Sequence, residues 1–189
     1  MRSEPARPAL LAAHAALLVV DLQERLMPAM EPALAARLQR NVGVWLEAAP
    51  LLGLPIVVSE QYPKGLGATV DWVRARLPAE VTPLAKVRFD ALGDDAIRAA
   101  VAATGRTQLV VVGVETHVCV LQTARSAAAR GSAWVVADAC ASRTAENHAL
   151  GLAQAARVGA EVVSTELALF ELLGGADHPA FRAVSRAVK

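Results

Sequence analysis

Ala15-Ala16-Leu17-Leu18-Val19-Val20-Asp21-Leu22-Gln23 is the stretch on which the fold turns. It is apolar without interruption until it meets Asp21. A strand with one wet face alternates apolar and polar side chains, whereas an unbroken short run reads as a strand covered on both faces. Working outward, similar runs recur at Pro55–Ser59, Leu84–Lys86, Gln108–Val112, Ala133–Val136 and Ala160–Val163. Between them lie Ala/Leu/Arg stretches with helical spacing: Pro32–Leu52, Asp94–Thr104, Thr116–Arg130, Glu146–Val158 and Thr165–Leu173, then His178–Val188 as a final helix. Pro50 disturbs the end of the first of these. Strands alternating with helices predict an α/β fold: one doubly wound parallel sheet of about six strands with helices on both faces.

The 189 residues suit one domain, taken as 1–189 with 1–12 as a flexible N-terminal segment. At 54% hydrophobic and 20% charged residues, the chain can bury a core and is not of the disordered class. Nineteen Lys+Arg against 18 Asp+Glu leave no basic surplus, and 4% aromatics leave few stacking platforms, so nucleic acid is not the expected partner. Two cysteines cannot form a disulfide framework and point to a reducing cytoplasm. No apolar stretch reaches the ~20 residues of a membrane span. Met1–Val20, with Arg2 and Arg7 ahead of its apolar run, has the outline of a signal peptide. No small-residue cleavage site follows, so the strand reading takes precedence.

Missing motifs narrow the chemistry. The first strand runs into Asp21-Leu22-Gln23-Glu24-Arg25 without a glycine, which argues against a dinucleotide-dependent oxidoreductase. There is no P-loop, no HExxH or CxxC, and no GxSxG elbow. His14, His117, His148 and His178 show no zinc-ligand spacing. No cofactor and no metal are expected.

Open parallel sheets bind ligands at the carboxyl ends of their strands. Those ends carry Asp21, then Ser59-Glu60-Gln61-Tyr62, then Lys86, then Gly113-Val114-Glu115-Thr116-His117-Val118-Cys119 where a helix begins. A carboxylate, an ammonium and a thiol thus share one edge. The positive end of a helix and a nearby ammonium favour thiolate. A carboxylate can take the thiol proton and return it to a leaving group. Backbone amides at the helix start can hold an oxyanion. Taken singly, Cys119 could be a core hydrophobe, Asp21 a turn cap and Lys86 a solvated charge; the conjunction carries the reading. Cys140 reads as structural, Trp45 as packing, and His117, two residues from Cys119, as a weak rival base.

At these residues the chain resembles the isochorismatase-like cysteine hydrolases, relatives of the nicotinamidases. The matching pieces are Leu17–Gln23, Lys86-Val87-Arg88-Phe89, Gly113–Val120 with Thr123-Ala124, and Val135–Ala139, so the similarity spans about residues 15–175. The run Glu60-Gln61-Tyr62-Pro63-Lys64-Gly65-Leu66-Gly67 is similar to the subgroup of isochorismatase domain-containing proteins. The resemblance implies strand order 3-2-1-4-5-6, which sets strands one and four side by side at the switch point. It further implies a catalytic Asp21/Lys86/Cys119 triad, a cis peptide at Val114-Glu115, an oxyanion hole from the amides of Glu115 and Cys119, and a homo-oligomer. Nicotinamidases carry a metal-binding Asp-x-His after strand two; this chain has Ser59-Glu60-Gln61-Tyr62 there, which points away from metal assistance. Glu115 is larger than the small residue of many relatives and narrows the pocket.

The expected function is a metal-independent cysteine hydrolase cleaving a small amide, or an ester, through a thioester. Gln23, Glu60, Tyr62 and Phe89 are the candidate substrate-binding residues. The alternative is a non-catalytic binding or scaffolding protein that retains the fold.

Overall fold

The computed structural model describes residues 9–189. The part of the expected flexible segment that falls on residues 1–8 lies outside this range. Residues 9–12 are pinned instead: the Leu10 amide donates to Glu171 Oε1 at 2.9 Å, the Leu11 amide to Gln108 Oε1 at 2.8 Å, and Gln108 Nε2 to the Ala9 carbonyl at 2.7 Å. Leu10 is fully buried, so its side chain anchors this stretch to the core.

Six parallel strands form one sheet: β1 (Ala15–Val20), β2 (Ile56–Gln61), β3 (Leu84–Lys86), β4 (Gln108–Val114), β5 (Ser132–Ala141) and β6 (Glu161–Val163), in the order β3-β2-β1-β4-β5-β6. This is the expected α/β doubly wound topology. The helices are α1 (Pro32–Leu51), α2 (Pro63–Leu66), α3 (Asp71–Arg74), α4 (Asp95–Ala103), α5 (Leu121–Ala128), α6 (Ala145–Arg157), α7 (Thr165–Leu173) and α8 (Phe181–Ala187). The chain marks several starts itself: the side chains of Glu31, Asp94, Thr144 and Ser164 accept amide hydrogens in the first turns of α1, α4, α6 and α7. Among the described residues, no helix is long and apolar enough to cross a membrane.

Period-two geometry divides β1 between two cores. Leu17 and Val19 pack with Leu38, Val42 and Trp45 of α1 and with Leu169 and Leu172 of α7. Ala16, Leu18 and Val20 pack with Ile97 of α4, Ala124 and Ala127 of α5 and Ala155 of α6. Every β1 side chain is buried, which is why the sequence shows no polar alternation there.

The structure departs from the pattern in three places. The expected helix Thr116–Arg130 opens as a π-type turn, Thr116–Val120, before α5 begins. The short helices α2 and α3 carry too few residues for a periodicity to show. Strand β5 continues five residues past Val136, because two steps along β4 (Val111 to Gly113) match five along β5 (Val135 to Cys140). This bulge carries Asp138, whose Oδ1 accepts from the Thr165 amide and Thr165 Oγ1, both at 2.8 Å. Its carbonyl accepts from Asn41 Nδ2 at 2.8 Å. A polar residue inside an apolar run is therefore a brace between β5, α1 and α7.

The seam between β1 and β4 depends on one glycine. Gly113 pairs with Val20 and has φ +121°, a backbone conformation that side-chain-bearing residues rarely adopt. A Cβ there would lie 2.1 Å from the Val20 carbonyl oxygen and 2.8 Å from the Val20 nitrogen. Gly113→Ala is expected to destabilise the protein by about 2–4 kcal/mol, from strained φ plus overpacking against backbone that cannot yield. Gly43→Ala, inside α1 with nothing within 4 Å of the added methyl, is expected to be neutral or to gain up to about 1 kcal/mol. Urea unfolding midpoints of the two variants check both signs.

Candidate active site

Chain direction brings the polar strand ends together. Beyond Val20 the chain turns sharply at Asp21, whose φ of +54° is a left-handed conformation that Asp tolerates better than most residues. Its carboxylate is fully buried. Oδ1 accepts from Ser59 Oγ at 2.7 Å, and Oδ2 lies 2.6 Å from Lys86 Nζ. The latter contact is a charge pair: Oδ2 accepts no hydrogen bond of regular geometry, so a lone pair stays open to another proton. Lys86 Nζ donates to Gln61 Oε1 at 2.7 Å and to the carbonyls of Arg88 and Phe89 at 3.2 and 3.4 Å.

Cys119 closes the group. It is 5% exposed, in the turn between β4 and α5. Asp21 and Lys86 both act on its thiol, through charge and through side-chain hydrogen bonding. Three residues distant in sequence therefore meet at one edge of the sheet. The protonation state differs from expectation. Burial first, and the Asp21 charge second, push the thiol up to about 12; Lys86 pulls it down by less. The resting group is a neutral thiol beside a carboxylate, not a preformed thiolate. The helix start and the ammonium do not outweigh desolvation and a like charge.

The turn carrying Cys119 follows a cis peptide at Val114-Glu115, at the position anticipated. Glu115 places its carboxylate against Arg143, with Nε to Oε2 at 2.7 Å. Thr116 Oγ1 lies 2.9 Å from His148 Nδ1. His117 Nδ1 lies 3.0 Å from Ser142 Oγ, so the weak rival base is engaged with a serine. Cys140 is fully buried, its Sγ lies 3.8 Å from the Val111 carbonyl oxygen, and burial pushes its thiol up to about 12. A role in the core fits it.

The four candidate substrate-binding residues separate. Gln23 is not pocket wall: it is fully buried, its Nε2 donates to the carbonyls of Gln61 and Gly67 at 3.0 and 2.8 Å, and its Oε1 accepts from the Gln61 amide at 2.7 Å. Both ends of the amide are spent tying β1 to the segment after β2. Glu60 Oε1 holds the Thr69 amide at 2.6 Å and Thr69 Oγ1 at 2.7 Å, which fixes the same segment. Tyr62 and Phe89 stay exposed, at 53% and 52%, and free to meet a ligand. An open groove of about 340 Å³ runs beside Tyr62, Lys64, Lys86 and Val87. Sequence reasoning missed Gln61 and Ser59 as partners of the ion pair, although both stood in the strand-end segment already singled out. It also missed Arg143 and His148, which carry no local signal because their partners are 28 and 32 residues away. Among the described residues, no group of three or more His, Cys, Asp or Glu is placed to hold a metal ion.

Comparison with known proteins agrees with this fold. The isochorismatase domain matches residues 15–167. The chain belongs to the isochorismatase-like hydrolase family. It is 38% identical over 178 residues to isochorismatase domain-containing protein 1 of Salmo salar, covering 89% of this chain but only 59% of that protein's length. A Caenorhabditis elegans structure described as MAR1 ribonuclease superposes with a TM-score of 0.88 at 30% identity, covering 96% of this chain and 92% of that one. YcaC of Pseudomonas aeruginosa, solved with hexane-2,5-diol and covalent acrylamide, has a TM-score of 0.88 at 25% identity over 98% of this chain and 93% of its own.

The causes acting on the thiol give a signed expectation. Asp21→Asn removes the carboxylate charge that raises the Cys119 titration and leaves the Lys86 charge that lowers it. The thiol should then titrate below the native value of about 12, though burial still holds it above an ordinary thiol. Thiolate absorbance in the far ultraviolet, read against a Cys119→Ser blank, checks this. An unchanged midpoint would show that Asp21 does not face the sulfur.

Proposed function

We propose that this protein is a metal-independent cysteine hydrolase that cleaves a small carboxamide, or less readily an ester, through a thioester. The observation that carries the reading is the buried Asp21–Lys86 ion pair acting on the Cys119 thiol. With the thiol protonated at rest, nucleophile activation needs a base in contact, and Asp21 Oδ2 is the open acceptor. As Sγ attacks the carbonyl carbon, its proton passes to Asp21. The oxyanion forms against the amides of Glu115 and Cys119, in a turn whose N–H groups lack a preceding helical turn to bond to. The C–N bond then breaks and Asp21 gives its proton to the departing amine. A water, deprotonated by Asp21, attacks the thioester; the C–S bond breaks, the proton returns to Sγ, and the carboxylic acid product leaves and ionises in solvent. Lys86 offsets the anionic charge of each step.

Acrylamide is itself a small carboxamide, and its covalent retention by the YcaC relative agrees with a site of this class. The ribonuclease described for the worm relative would need groups that hold a phosphate backbone; a net charge of +1 gives no basic surplus for that. A scaffolding role has one observation in its favour, the near-complete burial of all three side chains. Action as a homo-oligomer in a reducing, cytoplasmic setting is part of the same proposal. The free thiols and the exposed Tyr62, Val87 and Phe89 support it.

A hydrolysis screen over small carboxamides, with ammonia release as the readout and Cys119→Ala as control, decides between enzyme and scaffold. At least one amide should be turned over, with a loss of ~10³-fold or more in the variant. Equal turnover by the variant would remove Cys119 from the mechanism. An RNA substrate in the same screen tests the ribonuclease reading.

A further inference from the structure

Three consecutive residues of the nucleophile turn are each held by a side chain from the segment after β5. Glu115 is held by Arg143, Thr116 by His148 and His117 by Ser142. Backbone packing adds a fourth tie. Gly151 of α6 lies so close to the turn that a Cβ there would meet the His117 nitrogen at 2.8 Å and the Thr116 carbonyl carbon at 2.9 Å. Ser142 and Thr116 are buried, and so is His148. None of Ser142, Arg143 and His148 touches Asp21 or Lys86 in the bonds described above. The segment serves the turn, not the ion pair.

The His148 tie has a fixed polarity. Arg37 Nη2 lies 3.3 Å from His148 Nε2, and a guanidinium can only donate. Nε2 is therefore the acceptor, so Nδ1 carries the proton and donates to Thr116 Oγ1. Burial and the Arg37 charge both lower the His148 titration, in keeping with a neutral ring. The chain thus runs Arg37 (α1) to His148 (α6) to Thr116, three residues before the sulfur. An α1 cation far from the chemistry fixes which hydrogen bond the turn receives.

We infer that His148 is a positioning residue for Cys119: its Nδ1–H, oriented by Arg37, holds Thr116 and with it the pitch of the turn that aims the sulfur. The inference rests on Cys119 being the nucleophile. A misplacement of about 1 Å at a reacting group can cost ~10²-fold in rate, so a tie on the turn is a rate device as well as a packing contact.

Two near-isosteric variants separate the ends of the ring. His148→Asn puts an amide N–H where Nδ1 stood and loses the Arg37 contact. His148→Gln reaches the Nε2 position and loses the Thr116 bond. The probe is acrylamide, whose β-carbon takes the sulfur while the thiol proton ends on its α-carbon. Cys119 modification is followed by mass spectrometry over a range of acrylamide concentrations, with thermal melting of each variant alongside. The Asn variant should keep the maximal modification rate within about threefold of native. The Gln variant should lose ~10-fold or more, with half-saturation changed less than about twofold. Both lose one hydrogen bond and should melt alike, so a rate difference between them cannot come from stability. Equal rates for Asn and Gln would overturn the positioning role while leaving the nucleophile in place. Failure of the native protein to modify at Cys119 would overturn the nucleophile, and this inference with it.

Discussion

Two opposite charges, taken out of water together at the end of the sheet, set the terms for everything around them. A buried ion pair costs several kcal/mol of desolvation per ion, and apolar side chains of equal volume often do as well or better for stability. The arrangement stands only because each member has further partners. Lys86 Nζ reaches Asp21, Gln61 and the carbonyls of Arg88 and Phe89, and Asp21 Oδ1 takes Ser59. These partners come from three adjacent strands and the turn after the third. The pair therefore requires β3, β2 and β1 to end at one level, which the parallel registers Gln61↔Lys86 and Val20↔Ser59 provide. A pair so poor as a stability device and so fully supported is better explained by chemistry than by folding.

The framework was legible because burial leaves a compositional trace. The runs at Leu17–Val20 and Gln108–Val112 are unbroken because both faces of the sheet are covered, and the strand ends were visible as the places where polar residues begin. The strand ends set Asp21, Lys86 and Cys119 at one edge, and the strand order came from the resemblance. Single residues within an element were harder to read. Asp138 lies beyond the strand read at Ala133–Val136 and is part of it, because a bulge lets its side chain leave the sheet and brace α7. Gln23 looked like a ligand contact and is a clamp, because its buried primary amide makes three hydrogen bonds to backbone groups and the sequence does not say whose. Gly113 reads in the sequence as the first residue past an apolar strand, yet it belongs to β4 and permits its close approach to β1.

The thiol is where elementary expectation and structure part most clearly. A helix start and a neighbouring ammonium both lower a thiol's titration, and both are present. The structure adds two things the sequence cannot weigh, the depth of burial and the sign of the nearest charge. Desolvation is the larger, and Asp21 works in the same direction. Lys86, held by Asp21, Gln61 and two carbonyls, works the other way but by less than either. An ammonium counted once in sequence is paired here with a carboxylate, and its pull on the thiol is outweighed by burial and by that carboxylate.

These facts divide the labour of the sheet along one seam. The side of β1, β2 and β3 supplies fixed charge, held by strands and by a clamp at Gln23. The side of β4, β5 and α6 supplies the sulfur on a turn that is not regular helix and is tied by neighbours at Glu115, Thr116 and His117. Charge placed by a sheet needs no adjustment, because registers step in whole residues. A sulfur placed by a turn needs outside support, because a π-type turn is a poor helix start with unsatisfied amides. The two sides meet at Val20 and Gly113, where the absence of a side chain lets the strands that lead to Asp21 and Cys119 approach closely. The glycine and the histidine then act on the same quantity, the position of Cys119 against Asp21, one through the backbone spacing of the seam and the other through the pitch of the turn.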